Sequence, residues 1–76
     1  MNLLELGESI KKLRKEKNLT QEELATQVGI SRVTLSKLEN GYIASISIVT
    51  LNDILNHLGY QLDITPLNPF MSRESV

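Results

Sequence analysis

The chain has 76 residues, 41% of them hydrophobic, a formal net charge of −1, no cysteine and one histidine. That is enough for one small domain, near the lower limit at which a single core supports folding. The absence of cysteine excludes disulfides, thiol catalysis and thiolate metal sites, and no apolar run reaches the roughly 20 residues of a membrane helix.

Met1 to Glu5 has no basic region ahead of an apolar stretch, so no secretory signal is expected and the chain reads as cytoplasmic. Leu3, Leu6, Ile10 and Leu13 recur at steps of three and four, which predicts a helix from about Leu3 to Lys17 with those residues on its core side. Lys11, Lys12, Arg14, Lys15 and Lys17 crowd its second half and, on charge alone, read as a solvated face. Asn18, tolerant of left-handed backbone, ends it. Thr20-Gln21-Glu22-Glu23 is a capping box, in which Thr20 accepts from the amide three residues on and Glu23 reaches back to the cap amide. The short helix it opens turns Leu24, Ala25 and Val28 inward and stops at Gly29.

Ser31 follows apolar Ile30 and can cap a third helix that Asn40-Gly41 closes. Val33 and Leu35, two apart, cannot both face inward there. Leu35 and Leu38 form the core side, which leaves Arg32, Val33, Ser36 and Lys37 outside. Tyr42 to Ile46 is a loop. Ser47 caps a fourth helix whose apolar stripe is Ile48, Leu51, Ile54, Leu55 and Leu58, with Gly59 at its end. Tyr60 to Thr65 then alternates strictly, with Tyr60, Leu62 and Ile64 on one face, as a strand does. Pro66 and Pro69 end regular structure. The chain thus divides into a helical domain (residues 1–59), a strand (60–66) and a tail (67–76) expected to be flexible.

The specific signal is the segment from Thr20 to Gly41. Two short, separately capped helices flank a tight turn at Gly29-Ile30, and small Ala25 permits the close approach that docking them at a steep angle requires. A helix with Arg32, Val33, Ser36 and Lys37 on its outer face fits a major groove, where arginine and lysine donate to guanine and valine touches a thymine methyl. Other signals are weaker. His57 has no Cys or acidic partner at ligand spacing, and Gly7, Gly29, Gly41 and Gly59 are too scattered for a phosphate loop. One histidine and no recognisable acid pair argue against an enzyme, and no metal or cofactor is expected. A pure interaction module that has lost DNA binding is the remaining class left open by the near-neutral charge.

Thr20-Gln21-Glu22-Glu23-Leu24-Ala25, Val28-Gly29-Ile30-Ser31 and Ser36-Lys37-Leu38-Glu39-Asn40-Gly41 resemble the Xre/Cro-type helix-turn-helix of lambdoid phage repressors and many bacterial regulators. The likeness runs from about Ile10 to Gly59. It implies a mainly α, lambda-repressor-like domain of four to five helices that binds double-stranded operator DNA. By that resemblance, Arg32, Val33, Ser36 and Lys37 read bases, while Gln21, Ser31, Thr34 and Asn40 contact the DNA backbone. Gln21 also braces the recognition helix, and Arg14 and Glu39 form a partly buried ion pair. The loop after the third helix is one residue longer than the family pattern and has Ile46 where that pattern often has proline, so no phosphate contact is carried over to residues 42–45.

A lone strand cannot satisfy its own backbone groups, and the chain offers no second one to pair with Tyr60 to Thr65. The same strand of a second copy can supply the missing partner across a twofold axis, in an intersubunit two-stranded sheet with Tyr60, Leu62 and Ile64 as the dimerisation residues. A homodimer also suits two half-sites roughly 34 Å apart. A fourth helix, a dimerising strand and a short tail together resemble the HipB-type antitoxins, which implies repression of the chain's own operon and binding of a HipA-like kinase toxin. A stand-alone Xre-family repressor or a restriction–modification controller is the alternative.

Overall fold

A side-chain oxygen opens each of four helices by taking up an amide that the helix leaves unpaired. The computed structural model describes residues 2–43, 46–63 and 66. α1 (Leu3–Glu16) begins at Asn2, whose Oδ1 accepts from the Glu5 amide at 2.8 Å while Glu5 Oε1 accepts from the Asn2 amide at 2.9 Å. This second capping box is absent from the sequence reading, although Asn2-x-x-Glu5 carries its pattern. α2 (Gln21–Val28) begins at Thr20, whose hydroxyl accepts from the Glu23 amide at 3.0 Å, and the Glu23 carboxylate accepts from the Thr20 amide at 2.8 Å. α3 (Arg32–Glu39) and α4 (Ile48–His57) start at Ser31 and Ser47, each accepting from the amide three residues on at 3.0 Å. Each cap stabilises its helix by about 1 kcal/mol.

The stops are as local as the starts. Asn18 takes φ 58° at the end of α1, the one positive-φ non-glycine among the described residues. Gly29 takes φ 76°, which lets the Ile30 amide turn back to the Ala25 carbonyl at 2.9 Å and sends the chain into α3.

α3 packs on α1 and α2, and α2 also packs on α4. Their shared interior holds Ile10, Leu24, Ala25, Leu35, Leu38, Ile54, Leu55 and Leu58, all buried. Burying each of the larger side chains contributes about 1.5–3 kcal/mol. Ala25 and Gly7 are the small residues in this packing. A β-carbon on Gly7 would stand 2.5 Å from the Leu38 carbonyl oxygen and 2.7 Å from that of Glu39, so α1 lies directly on the backbone at the end of α3. Sequence reading gave Gly7 no role. Its place between Leu6 and Ile10 on the apolar side of a helix was the available signal.

Three expectations need correction. Leu3 is 58% exposed and Ile48 72% exposed, so neither belongs to the core face assigned to it. Both stand in the first turn of their helices, past the reach of the neighbouring elements. Val28 and Leu51 are half-buried at the margin of the core rather than within it. The described residues form four helices, within the four to five expected, but residues 60–63 form no strand in the single chain, where no second described backbone lies beside them to make a ladder; Ile64 and Thr65 lie outside the described residues. No described helix is long and apolar enough to cross a membrane.

Candidate nucleic-acid interface

α3 turns Leu35 and Leu38 into the core and buries Glu39 at its last turn. The opposite side therefore faces outward. Arg32, Val33 (54% exposed) and Lys37 are exposed there, and Ser36 is half-buried. Positions 32, 33, 36 and 37 follow the three- and four-residue steps of one helical face, so the four stand together.

A chain of hydrogen bonds ties this face to the rest of the fold. Arg14 Nε and Nη2 donate to Glu39 Oε2 and Oε1 at 2.7 and 3.1 Å, a bidentate pair with side chains 7% and 2% exposed. The Arg14 Nη1 donates to the Leu19 carbonyl at 2.7 Å, just before α2. Gln21, the first residue of α2, donates from Nε2 to Glu39 Oε1 at 3.0 Å, and its Oε1 accepts from Arg32 Nη1 at 3.4 Å. Glu39 thus receives three donors, which offsets the cost of burying a carboxylate near the negative end of α3. The arrangement joins α1, α2 and both ends of α3. The Arg14–Glu39 pair was expected from the resemblance, as was a bracing role for Gln21; the meeting of Gln21 with Glu39, 18 residues away, had no local signal.

The remaining site residues are placed as follows. Ser31 and Thr34 share a hydroxyl–hydroxyl bond of 2.9 Å at the start of α3, with Thr34 half-buried. Asn40 donates from Nδ2 to the Ser36 carbonyl at 2.8 Å and is exposed. Just beyond it, Tyr42 is 72% exposed, with its amide held by the Lys37 carbonyl at 2.9 Å; the sequence assigned it no contact. Tyr60 and Leu62 are 55% and 41% exposed, away from α3 and beside α4, while Ile64 lies outside the described residues. His57 Nδ1 lies 2.9 Å from the Asp53 carbonyl of its own helix. The Thr20 amide, then its hydroxyl, holds the Glu23 carboxyl below the usual carboxylate range.

A family model described as helix-turn-helix matches residues 10–64. The chain belongs to the Xre-like helix-turn-helix family. This helix-turn-helix protein is 42% identical over 60 residues to the control protein C.MunI from a Mycoplasma species, an overlap covering 78% of this chain and 80% of the relative. Among solved structures, the restriction-modification controller protein C.AhdI from Aeromonas hydrophila matches with a TM-score of 0.70 and 29% identity, over 78% of this chain and 88% of that one. A chain of the HipA–HipB–O2–O3 complex matches with a TM-score of 0.74 and 26% identity, over 90% of this chain and 94% of that one. Other relatives are longer, and this helix-turn-helix protein spans 16%, 19% and 23% of three of them. It is a DNA-binding regulator of the Xre family.

Proposed function

We propose that the chain is a cytoplasmic, sequence-specific repressor that binds operator DNA as a homodimer. The observation that carries this reading is the outer face of α3, where Arg32, Val33 and Lys37 stand exposed on a helix anchored from behind through Gln21 and Glu39. In this reading Arg32, Val33, Ser36 and Lys37 meet base edges, and Gln21, Ser31, Thr34 and Asn40 meet the phosphates on either side. The starts of α2 and α3, capped by Thr20 and Ser31, offer amides and dipole that favour a phosphate. Residues 1–59 form the DNA-binding part. Residues 60–66 pair with the same segment of a second copy, and Tyr60, Leu62 and Ile64 cover that junction.

Two biological settings fit. The likeness to a chain of the HipA–HipB–O2–O3 complex, over nearly the whole of both chains, supports an antitoxin that represses its own operon and binds a HipA-like kinase toxin. The likeness to the controllers C.MunI and C.AhdI favours the second reading, a restriction–modification controller. Both require the same DNA-bound dimer. Fluorescence anisotropy with the DNA upstream of the chain's own gene tests it: the intact protein binds that DNA at moderate salt well ahead of a scrambled duplex. Equal affinity for the two would overturn the proposal, and co-purification with the product of the adjacent gene separates the two settings.

A further inference from the structure

An apolar groove of about 550 Å³ runs between α1 and the end of α4, within the range of roughly 300–1,000 Å³ typical of ligand-sized clefts. Leu6, Leu13, Leu55 and Tyr60 line it, and Lys12 and Glu16 add one charge of each sign. α3 contributes nothing to its lining, so the groove is separate from the nucleic-acid face. Leu6 and Leu13 are only partly buried and Tyr60 is more than half exposed, which leaves this apolar surface open in one copy.

The path of the chain says what can cover it. The Tyr60 amide donates to the Leu55 carbonyl at 2.8 Å and the Leu62 amide donates to Asn52 Oδ1 at 3.2 Å, so the segment runs back along α4. It leaves the groove at Gln61 and travels away from it. Residues 67–76, outside the described residues, carry Leu67, Phe70 and Met71. Seven residue steps separate Tyr60 from Leu67, so a fully extended link, at roughly 3.3 Å per residue, would carry the start of that stretch about 23 Å from Tyr60 in the same copy. Antiparallel pairing about a twofold axis near Leu62 and Asp63 changes this. It sets the first residue of one segment beside the last of the other, so the second copy's tail emerges at this copy's Tyr60.

The geometry points to the tail of a second copy as the occupant of the groove. Phe70, with Leu67 and Met71, lies across α1 and the end of α4 of its mate, and each subunit clasps the other. This inference rests on the strand-paired dimer proposed above. It buries the apolar residues that a single copy leaves open, and it makes residues 67–76 part of the dimer rather than a free recruiting arm for another protein.

The chain has no cysteine, so an engineered pair reports without background. Chains carrying Ser9→Cys are mixed with chains carrying Phe70→Cys and mildly oxidised, beside a Ser9→Cys and unsubstituted mixture. A covalent heterodimer in the first mixture alone is the expected result. As an independent readout, Phe70→Ala raises the dimer dissociation constant measured by sedimentation at least about tenfold, the least that burying a phenylalanine implies. An unchanged constant, or a Ser9→Cys/Phe70→Cys chain that links within one copy, overturns the clasp while leaving the strand-paired dimer standing. An unsubstituted chain that sediments as a monomer overturns both.

Discussion

The α2–α3 unit and the segment after α4 are held in opposite ways. From Thr20 to Asn40, two capped helices close on a buried interior, and the one buried carboxylate, Glu39, is met by Arg14 and Gln21. Beyond Gly59 the chain leans on α4 through the Tyr60 and Leu62 amides, and it leaves both side chains largely open. The first region completes its polar bonding inside one copy. The second presents apolar side chains, Tyr60 and Leu62, that remain largely exposed. In the proposed function this divides the labour, since reading DNA needs a rigid face and assembly needs unsatisfied area.

The largest test of that contrast removes Glu39. Glu39→Ala leaves Arg14 buried without its carboxylate and should cost about 3–5 kcal/mol in urea unfolding. Replacing both partners by apolar residues should recover most of that, and a single substitution costing under about 1 kcal/mol would show that the network does not hold α3. At the exposed face, Arg32→Ala should keep the fold and lose about 1–3 kcal/mol of binding at one position per half-site. Equal loss on specific and random duplexes would make Arg32 a phosphate contact only. Truncation after Gly59 should change the unfolding free energy of one copy by less than about 1 kcal/mol, because no described residue beyond Gly59 belongs to the buried core. The same truncation should abolish the dimer in sedimentation; a truncated chain that still dimerises would move assembly into residues 1–59.

The smallest effect is a proton at the start of α2. The Thr20 amide, then its hydroxyl, bonds the Glu23 carboxylate and holds its folded-state pKa below the usual carboxylate range. A group depressed in this way adds stability that is fully present above its unfolded value and is lost as the pH falls through the folded one. Carboxyl NMR should show Glu23 titrating below the usual carboxylate range, and Thr20→Ala should move it back up.

The sequence disclosed what is local. Thr20, Ser31 and Ser47 announce their helices because a cap needs only the next three residues, and Gly29 announces its turn because left-handed backbone suits glycine. The outer face of α3 was legible as well, since Leu35 and Leu38 fix which side is buried. What escaped was set by distant contacts. Periodicity placed Leu3 and Ile48 on core faces without saying where the neighbouring helices end. Gln21 meets Glu39, and Gly7 meets the end of α3, across separations that no spacing rule reveals. The alternation from Tyr60 onward was legible, yet residues 60–63 form no strand in the single chain, because a ladder needs a second backbone and alternation alone does not supply one.

Gly7 and Arg14 both touch the close of α3, one at the carbonyls of Leu38 and Glu39 and the other at the Glu39 carboxylate. Seven residues is nearly two full turns, so α1 works as a ruler with two fixed marks. Deleting or inserting one residue between them would swing Arg14 about 100° off its mark while the glycine stayed seated. Exposed letters between the marks, such as Lys11 and Lys12, can drift, but their number cannot.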